Sequence, residues 1–303
     1  MNSWLQECAG SFGRVLTAFP EGCQIPIRQW TNDGLKFLVQ NFGSAFDTLN
    51  SLMLVVLRQV ETSLVRLPWW IVITIICLVA WRASRNRTLA LALAGALVFI
   101  GMMDLWEETM RTLAILFIAT SITVAAGVPV GILMGTNRYV RAVINPILDA
   151  MQTVPPFVYL IPFIFFFGLG NVAAIFAIFV YAVPPIVRLT DLGIRLVDSA
   201  TVEAADAFGA TGRQILWGVR IPLAMPNIMA GVNQTIMMAL AMVVIASMIG
   251  ARGLGQQVLR GLNNADVGMG LEAGLAILAL AIIFDRITAA FGVRLDPTKT
   301  VRA

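Results

Sequence analysis

Residues 202–222 read VEAADAFGATGRQILWGVRIP, placing Glu203, Asp206, Arg213 and Arg220 in a chain that is 58% hydrophobic and only 13% charged. The chemistry of this stretch is local. Asp198 or Ser199 is placed to cap a short helix running through Phe208, and Gly209 to end it in the left-handed conformation that other residues resist. Thr211 and Gln214 then have the Thr-x-x-Gln spacing of a capping box, and the second helix is expected to stop before Pro222. Around Glu203 the first helix presents Ala204, Ala205 and Ala207, small side chains that let another protein surface come close. The segment therefore reads as a docking knob of two short helices and a tight corner. On spacing alone, a solvated loop with ordinary helical propensity is the competing reading.

Outward from the knob the chain turns apolar on both sides. A mean hydropathy of +0.83 over 303 residues, concentrated in long runs, indicates a polytopic membrane protein. Seven segments suit helical spans: 67–81, 88–103, 112–135, 149–167, 172–187, 225–250 and 271–291. No alternating ten-residue pattern suggests a barrel, so the fold class is all-α. Basic residues stay on the cytoplasmic side of span ends. Arg82, Arg85 and Arg87, then Arg138 and Arg141, then Arg188, Arg195, Arg213 and Arg220, then Arg286, Arg294, Lys299 and Arg302 all fall on one side. The other side has Arg111, Arg252 and Arg260, with Asp104, Glu107 and Glu108 near the first. The knob is thereby expected inside, the N-terminus outside and the C-terminus inside.

The first 66 residues lack a basic n-region, apolar core and cleavage site, so no signal peptide is expected. From Leu35 the apolar positions Leu38, Phe42, Phe46, Leu49, Met53, Val56, Val60 and Leu64 form a helical stripe opposed by Gln40, Asn41, Asp47, Asn50 and Glu61. This predicts an amphipathic helix on the outer membrane face. An eighth span over 35–57 is the alternative, with Lys36 and Asp47 against it. Cys8 and Cys23 are placed to pair or to remain free, whereas Cys77 sits in a span.

Absences narrow the function. The chain has no histidine, which excludes H-E-x-x-H zinc chemistry and serine–histidine dyads, and no catalytic or metal site is expected. Neither lysine, Lys36 nor Lys299, follows a phosphate-cradling glycine loop, so ATP bound through a Walker A motif must belong to a partner chain. Within the spans, Pro155, Pro156 and Pro162 interrupt the fourth, and Pro184 and Pro185 are expected to end the fifth. Gln152, Thr153, Asn233 and Gln234 are polar at membrane depth, for helix packing or for ligand contact. Asp149 is expected to pair with Arg138 or Arg141. The outer loop GARGLG from Gly250 suits a tight re-entry or a contact with a partner.

Glu203-Ala204-Ala205, three residues, Gly209, nine residues, and Val219-Arg220-Ile221-Pro222 together resemble the EAA loop of ABC-importer permeases, E-A-A-x3-G-x9-I-x-L-P. Val219 and Ile221 depart from that pattern by apolar exchanges. The stretches NPILDAMQTVPPFVYLIPFIFFFGLGNV from Asn145 and IPLAMPNIMAGVNQTIMMALAMVVIASMIGARGLGQQVLRG from Ile221 are similar to permease subunits of glycine betaine, proline betaine and choline importers. The resemblance runs from about Thr109 to Phe291.

It implies a type I importer core over 109–291 with a coupling loop at 188–222. Outside that core lie an extracytoplasmic region (1–66), accessory transmembrane helices (67–108) and a cytoplasmic tail (292–303). The implied partners are ABC ATPase subunits that bind ATP and Mg, an extracytoplasmic substrate-binding protein, membrane lipid and a second copy of the permease; no nucleic acid is expected. The implied setting is a bacterial inner membrane, and the implied role osmoprotection. An ion-gradient-driven secondary transporter, which often carries inverted repeats, and a channel or structural subunit are the competing classes. A quaternary ammonium is held over aromatic faces, so Tyr159 and Tyr181 are the expected lining residues of a weak substrate path, with Gln152 and Asn233 as polar candidates.

Overall fold

Apolar runs that must satisfy every backbone group without water fold as helices, and every regular element of the described residues is helical. The computed structural model describes residues 25–295. The expectations for Cys8 and Cys23, and for most of the tail with Lys299 and Arg302, lie outside these residues. The helices are α1 (Ile27–Arg66), α2 (Trp69–Ser84), α3 (Arg87–Met102), α4 (Trp106–Thr136), α5 (Arg138–Thr153), α6 (Leu160–Phe167), α7 (Asn171–Arg195), α8 (Ser199–Ala207), α9 (Gly212–Ile215), α10 (Ile221–Ala246), α11 (Leu254–Asn263) and α12 (Val267–Arg294). Two compact units divide the described residues, 25–47 and 48–295. The first is the N-terminal half of α1, which begins eight residues before the stripe read from the sequence.

In the second unit, Leu57 of α1 is buried, and Met53, Val60 and Leu64 pack on the same core cluster. Arg111 of α4 gathers three carboxylates: Glu61 of α1 at 3.5 Å, Glu107 at 2.5 Å and Glu108 at 3.5 Å. Each of the seven apolar segments is mostly helical, the fourth in two pieces. Among the described residues four elements are long and apolar enough to cross a membrane, Trp106–Thr136, Asn171–Arg195, Gly212–Ile249 and Val267–Arg294, or up to six if each of two bent helix pairs counts as one span. At 16 residues each, α2 and α3 reach only ~24 Å.

The main packing seam puts α7 between α4 and α10. Small residues allow it. A Cβ on Gly131 of α4 would stand 2.5 Å from the Thr190 Cβ and 2.7 Å from the Val187 carbonyl oxygen, and one on Gly127 would stand 2.3 Å from Ile186. From the other side, Gly231 of α10 meets Ile186 and Leu189. The seam's ends fall in two apolar clusters, one built around Ile115, Ala174, Ile178 and Met242, the other around Met134, Ile186, Ile194 and Ile228.

Three local expectations are corrected and a fourth is sharpened. Pro184 and Pro185 do not end the fifth span: they are buried inside α7, which continues to Arg195. Packing on both sides holds the helix there, and the Thr235 hydroxyl of α10 donates to the Ala182 carbonyl at 3.2 Å. The fourth segment is interrupted at its prolines, as expected, but more sharply than by a kink. It starts at Arg138, breaks after Thr153, and resumes through a 3-10 turn (Pro156–Tyr159) into α6, with a bend of 109°. Extended backbone at Val154 and Pro155 makes the break, as expected for residues preceding proline. Asp149 pairs with neither Arg138 nor Arg141, which lie two to three turns back on the same helix α5. It accepts from Arg188 of α7 instead, a cross-helix ion pair.

The third correction concerns Pro222. The helix beginning at Gly212 does not stop before it but widens into a π-turn (Leu216–Arg220) and continues as α10, with Pro222 in the first turn of α10. A wider turn accommodates the ring and the missing donor of proline. The GARGLG loop is a tight re-entry. Gly250 and Gly253 have positive φ, Ala251 is buried, and the Leu254 amide donates to the Thr112 hydroxyl at 2.8 Å, so that α11 turns back onto α10 and α12.

Candidate functional site

The segment from Asp198 to Pro222 folds as two capped helices around a glycine corner. Asp198 caps α8, its carboxylate accepting from the Ala200 amide at 3.1 Å. Gly209 adopts a φ of 79°, its amide donating to Asp206 O at 2.8 Å, and the Ala210 amide donates to Ala205 O at 3.1 Å. These two bonds are the paired closure of a Schellman motif. On the other side, the Thr211 amide donates to Gln214 Oε1 at 2.8 Å and the Gln214 amide to Thr211 Oγ1 at 3.4 Å, completing the expected capping box.

The corner's exposure pattern is that of a knob. Glu203 and Ala204 are exposed and Ala205 is half-buried. Next to the corner's glycine, Phe208 is 93% exposed, and in the π-turn Trp217 is 62% exposed. The sequence reading named neither aromatic as a site residue. Their signal was the placement of two large apolar side chains on either side of the one glycine the corner requires. Val219 and Ile221 are half-buried, Ile221 against the cluster around Ile228, while Pro222 is exposed.

Behind the knob lies a cleft of about 530 Å³ lined by Ser199, Glu203, Arg220, Arg195 and Gly135 among others. Arg195 is not free to swing. Its guanidinium grips the buried Asp191 with two arms, Nε to Oδ1 at 3.1 Å and Nη2 to Oδ2 at 3.0 Å, a forked pair stronger than a single contact. Counted from sequence only as a topology signal, Arg195 thus stands where the buried end of α7 meets the knob.

Among the path candidates, the structure brings Tyr159 and Tyr181 together, ring centroids 6.3 Å apart at 55°. The broken segment makes this possible. Tyr159 ends the 3-10 turn, its hydroxyl donating to Met151 O at 2.5 Å across the bend. Phe163 and Phe167 stack instead on Phe176 of α7, at 6.1 and 4.6 Å. Gln152 is exposed near the end of α5. Asn233 is held elsewhere: its amide donates to Asp285 at 2.9 Å and its oxygen accepts from Thr288 at 2.6 Å, joining α10 to α12.

Similarity to known proteins extends over most of the chain. The family described as "Binding-protein-dependent transport system inner membrane component" matches residues 127–297. The glycine betaine/proline betaine transport system permease protein ProW of Escherichia coli is 42% identical over 268 residues, covering 88% of this chain and 75% of that one. Glycine betaine/carnitine transport permease protein GbuB of Listeria monocytogenes is 45% identical over 226 residues, covering 74% and 80%. In fold, the chain resembles the inward-facing MetNI methionine ABC transporter with a TM-score of 0.57 at 22% identity, over 61% of this chain and 93% of that one. The chain belongs to the family of binding-protein-dependent transport system inner membrane components and is a multi-pass transport permease, not an enzyme.

Proposed function

We infer that this permease is the transmembrane subunit of an ATP-driven importer of small quaternary ammonium zwitterions. Glycine betaine, proline betaine and carnitine, named for its relatives, share a permanently charged ammonium and a carboxylate. ATP and Mg are bound by a separate ATPase, and an extracytoplasmic binding protein delivers the solute. The chain works as a homodimer in a bacterial inner membrane, N-terminus outside and C-terminus inside, each copy presenting one coupling loop to one ATPase. The region 1–66 is extracytoplasmic, 67–108 is accessory, 109–291 is the transport core and 292–303 is the tail. Osmoprotection is the physiological role that such a cargo implies.

One observation carries this reading: the knob is continuous with a membrane-crossing helix. From Gly212 through the π-turn to Ile249 the chain is one helical element of 38 residues. A push on Glu203, Ala204, Ala205 and Gly209 is transmitted by that element, Val219, Ile221 and Pro222 included, into the seam with α7. Phe208 and Trp217 supply the apolar grip that a docked ATPase groove covers, since aromatic anchors dominate such interfaces. Tyr159 and Tyr181 line a weak, transient path beside Gln152, and Asn233 sets how α10 and α12 move together. Weak aromatic contacts of roughly 0.5–2 kcal/mol each suit passage rather than storage.

Proteoliposomes holding the permease, its ATPase and its binding protein test this. Labelled glycine betaine should enter only with ATP and should continue when ion gradients are collapsed. Glu203→Lys should insert normally and lose substrate-stimulated ATP hydrolysis. Uptake driven by an ion gradient without ATP overturns the reading.

A further inference from the structure

The turn between α2 and α3 concentrates positive charge. Arg82 lies in the last turn of α2, Arg85 caps it in the left-handed conformation (φ 53°), and Arg87 opens α3. A fourth guanidinium joins them, because Arg294 at the end of α12 donates to the Arg82 carbonyl oxygen. Among the described residues, none of these four arginines forms an ion pair with a carboxylate.

The corner is built, not loose. The Arg85 amide donates to Trp81 O at 2.8 Å, and the Asn86 amide to Ser84 Oγ at 3.1 Å. Asn86 Oδ1 accepts from Thr88 at 2.9 Å and Leu89 at 3.3 Å. The result is a pocket of about 380 Å³ lined by Trp81, Arg82, Arg85 and Arg87, with the Arg87 guanidinium 6.0 Å from the Trp81 ring centroid.

Its depth identifies the ligand. Both α2 and α3 are apolar helices of 16 residues, ~24 Å each, so a turn at their shared end lies where hydrocarbon gives way to phosphate. Trp81 is the aromatic type that settles at that boundary. Leu78, Val79 and Leu91 on the two helices are exposed and apolar, a surface for acyl chains. A charge signal for topology needs arginines near a span end but no pocket, no rigid turn and no indole.

We propose that Trp81, Arg82, Arg85 and Arg87, with Arg294 behind them, form a binding site for the phosphate of an anionic phospholipid. The forked guanidinium groups take the phosphodiester oxygens in pairs, while the exposed leucines and valine hold the tails. Free phosphate presents the same oxygens without the tails, so it binds far more weakly.

The test uses the purified full-length permease in mixed micelles of phosphatidylglycerol and phosphatidylcholine with identical chains. Retained lipid is counted by native mass spectrometry. Wild-type protein should keep phosphatidylglycerol in preference to phosphatidylcholine, and inorganic phosphate in excess should not displace it. Arg85→Gln with Arg87→Gln should lower that preference by about fivefold for each arginine removed. Arg138→Gln with Arg141→Gln removes the same charge from another loop and should leave the preference unchanged. If the glutamine pair mis-inserts, Arg85→Lys with Arg87→Lys keeps the charge, loses the forked donors, and should still fall below wild type. Equal loss in both glutamine pairs, displacement by inorganic phosphate, or lysine variants equal to wild type each overturn the proposal.

Discussion

Glycine does opposite work in the corner between α8 and α9 and in the α4–α7 seam. Gly209 has open space around its Cα and a φ of 79°, so the backbone, not the neighbours, excludes other residues. Gly131 lies inside α4, yet a Cβ there would overlap Thr190 and the Val187 carbonyl. Proline divides the same way. At Pro155 and Pro156 the helix obeys the local rule and breaks, whereas at Pro184 and Pro185, buried in the seam, it runs straight through. At these two places backbone preference decides the exposed break and packing holds the buried helix, although the exposed Pro129 and Pro146 also lie within α4 and α5.

The harshest challenge to that contrast is Gly131→Leu. Overpacking of a closed seam costs ~3 kcal/mol or more where backbone blocks the new side chain, so the protein should fail to accumulate as a monodisperse species on size-exclusion chromatography. Normal yield would mean the seam is looser than its distances indicate.

Releasing the break at the fourth segment comes next. Proline disfavours a helix interior by ~3 kcal/mol, and Pro155→Ala with Pro156→Ala removes that barrier twice. Spin labels at Ile147 and Phe165 should then move apart toward the ~27 Å of a continuous helix, with loss of the Tyr159–Tyr181 pairing and slower uptake. An unchanged distance would assign the bend to packing rather than to proline.

Gly209→Val probes the corner by its backbone alone. A β-branched residue there should cost ~1–2 kcal/mol, little beside the stability of the bundle, so the thermal transition should barely move. Substrate-stimulated ATP hydrolysis in the reconstituted complex should nevertheless fall. Equal loss of stability and coupling would show that the corner is a structural element of the core.

Smallest is Thr235→Val. It removes the hydroxyl bond to Ala182 O at 3.2 Å, and such interhelical bonds average ~0.6 kcal/mol in membranes. A shift of that size in urea or detergent unfolding is expected, with transport intact.

Read from sequence alone, the caps of the α8–α9 corner were legible, though the run of its second helix through Pro222 was not. Asp198, Gly209, Thr211 and Gln214 act within a few residues of themselves, so their spacing already states the bonds that form. The seven apolar segments were equally legible as helices, because backbone groups in lipid have few other solutions. For Phe208 and Trp217 the sequence held only their placement on either side of Gly209, because exposure itself is a property of the folded surface.

What only the tertiary structure decided lies between segments. Asp149 chose Arg188 over the two nearer arginines because a helix holds residues two turns apart out of reach while a neighbouring helix brings a distant one close. Asn233 found Asp285 and Thr288 for the same reason. The prolines of α7 stayed helical because α4 and α10 close on that stretch. Backbone rules are short-ranged and travel with the sequence; contacts across a seam depend on which faces meet, and that is fixed only when the helices pack.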